Sequence, residues 1–204
     1  MNFSVLRTQR ELQQWRKEQI SPIHFVPTMG GLHLGHRELI HEATKSKVQE
    51  QPAVLVSVFV NPLQFAPQED FEKYPRELSN DCELAKAAGA NAIWAPSVKE
   101  VFPRGAATHF KLKVPSELRS HLCGQSRKSH FNGVATIIVR LLALIKPHLL
   151  VLGEKDWQQL IIIRRLIQDL QLPVRLIGVK TVRDKDGLAL SSRNRYLSPS
   201  ERIT

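Results

Sequence analysis

The sequence predicts an α/β fold: a parallel, Rossmann-like sheet with helices on its faces. Three observations carry that reading. Short apolar runs at Ile23–Val26, Ala53–Val60, His148–Leu152 and Val174–Val179 read as strands buried on both sides. Segments of helical character stand between them, at Arg37–Val48, within Glu69–Gly89, and at Gly133–Lys146 and Leu160–Leu170. Strand alternating with helix is the pattern of parallel pairing, because a parallel neighbour is reached only through a crossover.

Taken in order, Val5–Lys17 carries Val5, Leu6, Leu12 and Trp15, the spacing of a short helix. The strand Ile23–Val26 then runs into Pro27-Thr28-Met29-Gly30-Gly31-Leu32-His33-Leu34-Gly35-His36, a strand-to-helix turn. Gly30 and Gly31 let the backbone bend sharply and approach a ligand. His33 and His36, three apart at the helix start, bring both rings to one side. The first helical turn offers unpaired N–H groups and the positive end of its dipole, which favours phosphate. Two imidazoles there suit the charge that builds on a nucleotide α-phosphate under attack. By itself the pair reads equally as two surface histidines, and His-x-x-His lacks the further ligands of a stable metal site.

Ala53–Val60 ends in Asn61-Pro62-Leu63-Gln64-Phe65, at the carboxyl end of a buried strand, where open α/β sheets bind ligands. Gln64 is a candidate substrate donor there, against the plainer reading of a solvated loop amide. Glu69–Gly89 reads as a loop and a helix with Leu78, Cys82, Ala85 and Ala88 on one face and Gly89 as its C-cap. Asn91–Ala95 is a short strand, and Thr108–Val114 alternates like a half-exposed one. Gly124–Asn132 is a polar loop holding Arg127, Lys128 and His130. The helix from Gly133 is apolar nearly all round, hence buried, and Pro147 stops it.

After the next strand stands Gly153-Glu154-Lys155-Asp156, then Trp157-Gln158-Gln159 and a helix, repeating the logic of the first turn. Lys155 is a mobile cation for phosphates, and Asp156 is placed to cap the helix. Farther on, Asp186-Gly187 signals a turn. Ser191, Ser192 and Arg193 provide two hydroxyls and a guanidinium fork, a phosphate grip. Ser198-Pro199-Ser200-Glu201 reads as the cap of a last helix.

Composition narrows the class. The 204 residues are 42% hydrophobic and 24% charged, ordinary for a soluble globular protein. No apolar run reaches the roughly 18 residues of a membrane span and the start lacks a signal-peptide pattern, so a cytoplasmic location is expected. Cys82 and Cys123 form neither a disulfide framework nor a metal spacing. The net charge of +10 keeps a non-catalytic, nucleic-acid-binding domain as a rival. The basic residues are scattered and not interleaved with aromatics, and a cleft for phosphate-bearing small molecules explains them as well.

His33-Leu34-Gly35-His36 after a strand resembles the HIGH motif of nucleotidylyl-transferring α/β enzymes. The full set resembles pantothenate synthetases (pantoate–β-alanine ligases). It comprises P-T-M-G-G-L-H-L-G-H, F-V-N-P-L-Q-F, Y-P-R, S-H-F-N-G-V, G-E-K-D-W-Q-Q-L and L-S-S-R-N-R-Y-L. The resemblance spans the chain from its first strand to Leu197. It implies formation of pantoyl adenylate from pantoate and ATP with release of pyrophosphate, then attack by β-alanine to give pantothenate and AMP, with Mg²⁺ accompanying ATP. It implies ATP binding by Met29, Gly30, Gly31, Leu32, His33, Leu34, Gly35 and His36, by Gly153, Glu154, Lys155 and Asp156, and by Val182 at the adenine. Leu190, Ser191, Ser192 and Arg193 would act as a KMSKS-like phosphate loop. His36, with His33 and Lys155, would be catalytic. Gln64 would bind pantoate and β-alanine, and Gln159 pantoate.

The resemblance also implies a homodimer. It divides the chain into an ATP- and pantoate-binding domain, residues 1–180, and the start of a small C-terminal lid domain, residues 181–204. The chain is then expected to be a fragment, or one piece of a fusion with a second enzyme. Gly31 stands where alanine is common and Leu190 where methionine is common, and neither change removes a polar contact. The same-class rival is a HIGH-type nucleotidyltransferase acting on a small phosphorylated substrate. Gln64 and Gln159, neutral donors suited to hydroxyl and carboxylate, argue against it.

Overall fold

The computed structural model describes residues 3–45, 51–66 and 68–203. In chain order the elements are β1 (Ser4–Leu6), α1 (Gln9–Glu18), β2 (Ile23–Thr28), α2 (Leu34–Thr44), β3 (Ala53–Val58), α3 (Leu78–Ala87), β4 (Ala92–Trp94) and α4 (Val98–Val101). There follow α5 (Ser116–Arg119), α6 (Cys123–Ser126), α7 (His130–Ile145), β5 (Leu149–Gly153), α8 (Trp157–Asp169), β6 (Arg175–Val179) and α9 (Pro199–Ile203). The six strands form one sheet in the order β1-β4-β3-β2-β5-β6, and every pairing is parallel.

Alternation along the central strands sorts the core into two layers. Phe25, Leu55, Trp94 and Leu150 face one side, packed with Leu12 and Trp15 of α1, the apolar stripe of α7, and Leu160 and Ile163 of α8. Val26, Val54, Val56, Ile93 and Val151 face the other, against Ile40 and Ala43 of α2 and Ala85 of α3. Cys82, read as a core residue, is half-buried at the edge of that second layer. Among the described residues no helix is long and apolar enough to cross a membrane.

Several boundaries differ from the sequence reading, four of them by more than a residue or two at an element's end or in kind. Val5 and Leu6 belong to strand β1, paired with Ile93 and Trp94. The helix starts only at Gln9, where Thr8 caps it: Glu11 N–H donates to Thr8 Oγ1 (3.1 Å) and Thr8 N–H to the Glu11 carboxylate (2.9 Å). Thr108–Val114 joins no sheet. Its alternation is real, but Leu112 N–H donates to Thr136 Oγ1 (2.9 Å) and Val114 N–H to Asn132 Oδ1 (2.8 Å), so side chains of α7 replace a neighbouring strand.

Helix α7 begins at His130, inside the expected loop. Gly133 marks a close approach and not a start: a Cβ there would lie 2.2 Å from the Leu63 carbonyl oxygen. Helix α2 begins earlier than expected, at Leu34, and ends at Thr44. The expected continuation to Val48 lies outside the described residues.

Candidate active site

The chain moves from β2 through β3 to β4 on one side of the sheet, and from β5 to β6 on the other. The order therefore reverses between β2 and β5, and open parallel sheets bind ligands at the carboxyl edge of such a reversal. A cavity of about 250 Å³ opens there. The β2–α2 turn contributes Met29, His33, Gly35 and His36, and the loop after β3 contributes Gln64. The end of β5 and the start of α8 bring Gly153, Lys155, Asp156 and Gln159. The segment after β6 adds Val182, Leu190, Ser191, Ser192 and Arg193. Gly30, Gly31, Leu32, Leu34 and Glu154 do not line the cavity.

His33 is the N-cap of α2, and its Nδ1 accepts the Gly35 N–H (3.1 Å). His36 Nδ1 in turn accepts the His33 N–H (3.2 Å), and the two rings stand 4.2 Å apart at their centroids. A backbone N–H can only donate, so both Nδ1 atoms are bare and each neutral ring carries its proton on Nε2. Burial, followed by the charges of His33 and Lys155, pushes His36 down to about 3. Burial and Lys155 lower His33 as well. At neutral pH the pair therefore supplies uncharged N–H donors.

The turn's own N–H groups are less available than the sequence suggested. Gly30 and Gly31 adopt φ of +90° and +62°, which only glycine takes without strain. The Gly31 and Leu32 N–H groups donate to the Asp81 carboxylate of α3 (3.2 and 2.7 Å), and the His33 ring takes the Gly35 N–H. Asp156 occupies the N-cap position of α8 but makes no capping bond, contrary to expectation. Its carboxylate lies 3.8 Å from Lys155 Nζ instead.

Gln64 Nε2 contacts Met29 Sδ (3.1 Å), a weak acceptor that a better one can replace. Its loop is clamped by Asn61, 1% exposed, whose Nδ2 donates to Gln64 Oε1 (3.1 Å) and Gly133 O (3.2 Å). Arg193 makes a two-pronged pair with Asp70 (2.9 and 2.8 Å), while Ser192 Oγ meets Tyr74 OH at 3.3 Å. Hydrogen bonding to Arg193 holds the Asp70 carboxyl below its usual range.

Asn61, Tyr74, Arg127 and His130 also line the cavity, and the sequence reading singled out none of them as site residues. Arg127 is forked onto Glu69 (2.6 and 2.7 Å) and donates to His130 Nε2 (3.2 Å). His130 Nδ1 then donates to the Gln64 carbonyl (3.0 Å), so this ring is neutral with the opposite tautomer. The polar loop Gly124–Asn132, with its Arg-Lys pair and histidine beside an apolar helix, was the available signal.

A parallel α/β domain whose sheet reversal opens onto paired neutral imidazoles, a lysine, amides and an arginine belongs to the class of open sheets that take ligands at their strand ends. Residues 4–204 match the pantoate-beta-alanine ligase family, and the chain belongs to it. It is 61% identical over 191 residues to a bifunctional pantoate ligase/cytidylate kinase of Prochlorococcus marinus (strain MIT 9313), covering 94% of this chain and 38% of that protein. A protein of the same description from Parasynechococcus marenigrum is 55% identical over 199 residues, covering 98% and 39%. The chain thus spans under two fifths of the length of these curated relatives.

Among solved structures, pantothenate synthetase from Thermus thermophilus superimposes with a TM-score of 0.89 at 45% identity, over 98% of this chain and 70% of that one. The pantoate-beta-alanine ligase of Francisella tularensis, complexed with beta-gamma ATP and beta-alanine, gives 0.91 at 35% identity, over 98% and 76%. The helix-covered parallel sheet expected from the sequence is the fold these structures share.

Proposed function

We propose that this chain is the ATP- and pantoate-binding part of a ligase that joins pantoate to β-alanine. The carrying observation is one cavity at the β2/β5 reversal walled by His33, His36, Lys155, Gln64, Gln159 and the 190–193 segment. A pantoate carboxylate oxygen attacks the α-phosphorus of ATP, the α–β bridging P–O bond breaks, and pyrophosphate leaves. The β-alanine amine then attacks the acyl carbon, loses a proton, and AMP departs. The carboxylate is already ionised at neutral pH, so the first step calls for donors on developing charge and not for a base.

His36 Nε2–H is the donor assigned to that charge, with His33 beside it and Lys155 on the phosphates. Val182 is given to the adenine, and Ser191, Ser192 and Arg193 to the phosphates, with Arg193 leaving Asp70 to reach them. Gln64 and Gln159 orient pantoate, and Gln64 meets β-alanine. Mg²⁺ would accompany ATP, and no step passes through it; among the described residues no group of three or more His, Cys, Asp or Glu is placed to hold a metal ion. The division at residues 180/181, a homodimer and fusion to a kinase-type partner belong to the same proposal. A monomeric mass in sedimentation velocity would remove the dimer.

The test is ATP–pyrophosphate exchange in the full-length protein. Exchange is expected to require pantoate and not β-alanine. Exchange that proceeds equally with unrelated carboxylic acids would overturn the substrate assignment.

A further inference from the structure

We infer that Asp81 is a positioning residue for the histidine pair, acting through the backbone of the β2–α2 turn; this rests on the role given to His36 above. Asp81 is 2% exposed and does not line the cavity. It reaches across from α3, 49 positions along the chain from Leu32. Two successive glycines of positive φ turn the Gly31 and Leu32 N–H groups onto its carboxylate, an anion-binding nest filled from within. The fit is close, since a Cβ on Gly30 would lie 3.0 Å from Asp81 Oδ2.

Burying a carboxylate is unfavourable unless its bonds secure something. What these two bonds secure is the pair of peptides Gly30–Gly31 and Gly31–Leu32, which set the course of the next one, Leu32–His33. The His33 N–H is the donor to His36 Nδ1, so the orientation of that peptide sets where the His36 Nε2–H points. Asp81 therefore holds the catalytic imidazole at one remove, as a supporting bond does for a reacting group. Asparagine keeps the size of the side chain but sets an NH₂ against one of the two N–H groups. One bond survives, the other becomes a repulsion, and the turn rocks.

Single-turnover formation of pantoyl adenylate is compared in the full-length protein for wild type, Asp81→Asn, His36→Ala and the double variant, with ATP affinity measured separately. Asp81→Asn is expected to slow adenylation on the order of 10- to 100-fold with little change in ATP affinity, the loss typical of a misplaced reacting group. In the His36→Ala background the same substitution is expected to cost almost nothing, because its effect passes through a ring no longer present. An equal loss in both backgrounds, or no loss in either, overturns the inference.

If His36→Ala itself keeps the rate, it is the catalytic reading of His36 that fails. The imidazole ¹⁵N spectrum then judges Asp81 alone: an altered His36 tautomer signal in Asp81→Asn supports the inference, and an unchanged one overturns it. Should Asp81→Asn lose its fold, Asp81→Glu, which keeps the charge but moves the carboxylate by one methylene, is held to the same pattern.

Discussion

Replacing His36 by asparagine should make the protein resist acid better than the wild type does. The Asn Oδ1 can accept the His33 N–H in place of Nδ1, so the main change is the loss of a titrating group. In the folded protein His36 sits at about 3, against an ordinary 6.5, chiefly because it is buried. A histidine depressed by folding makes the unfolded chain the better proton binder, so stability falls as pH drops below 6.5 and levels off near 3. At about pH 4.5, roughly two units below the unfolded value, the lost stability is about 2.7 kcal/mol at most, from 1.36 kcal/mol per unit. Solvent in the adjoining cavity screens the ring, which brings the expected figure to roughly 1.5–2.5 kcal/mol. His24, His109 and His130 are lowered too, but they are common to both proteins and cancel in the comparison, while the coupling of His33 to His36 is part of the difference read. Urea unfolding at about pH 7.5 and 4.5 gives the two differences in stability. If the gap between variant and wild type is the same at both, or moves in favour of the wild type in acid, the neutral, buried state of His36 is refuted.

Two further substitutions probe the frame of the cavity. Gly133→Ala would set a methyl 2.2 Å from Leu63 O and 2.7 Å from Gln64 N, both backbone atoms that cannot swing aside. It should cost roughly 2–4 kcal/mol, seen as a lower urea midpoint at unchanged slope, and a neutral result would show that the α7–loop contact is loose. Arg127→Ala leaves Glu69 without its forked partner and His130 without a donor, so that of the two bonds to the Gln64 carbonyl only the one from His130 remains, on a ring held less firmly. Pantoate KM in pyrophosphate exchange should rise on the order of tenfold with ATP affinity intact, and an equal weakening of both would reject a local role.

The elements legible in the sequence were those whose burial is intrinsic to their own residues. Ala53–Val58 is apolar on both faces and α7 nearly all round, so each announces itself without reference to a neighbour. Strand β1 is three residues long and owes its state to Ala92–Trp94, far along the chain, while its apolar residues fall in phase with Leu12 and Trp15. Thr108–Val114 carries a true alternation, but no local pattern tells whether a strand or the side chains Thr136 and Asn132 will receive its N–H groups.

The site divides in the same way. His33, His36, Lys155 and Ser191–Arg193 stand in compact polar clusters after strands and could be found by position. Asp81 could not, because it lies on an ordinary helical stretch and gains its meaning only from the glycine turn it meets in space. The Glu69–Arg127–His130–Gln64 chain draws on two segments, residues 64–69 and 127–130, and only folding brings them together.

The seam between β2 and β5 governs when the cavity can exist at all. Strand β2 is in register with β3 over six residue pairs and β5 with β6 over five, but β2 and β5 share only His24↔Leu149 and Phe25↔Leu150. Ile23 and His148, 125 positions apart, fasten the foot of that junction with bonds of 3.1 and 2.8 Å. The β2–β3–β4 run and the β5–β6 pair are each assembled from nearer neighbours in the chain, whereas the seam closes a very long loop, the kind of contact that forms late. A chain emerging from the ribosome would complete the β2–β3–β4 half with its histidine turn well before the lysine wall after β5 had been made. Closure of the pocket is thus expected late in folding, and binding of the proposed nucleotide would report on closure of that seam.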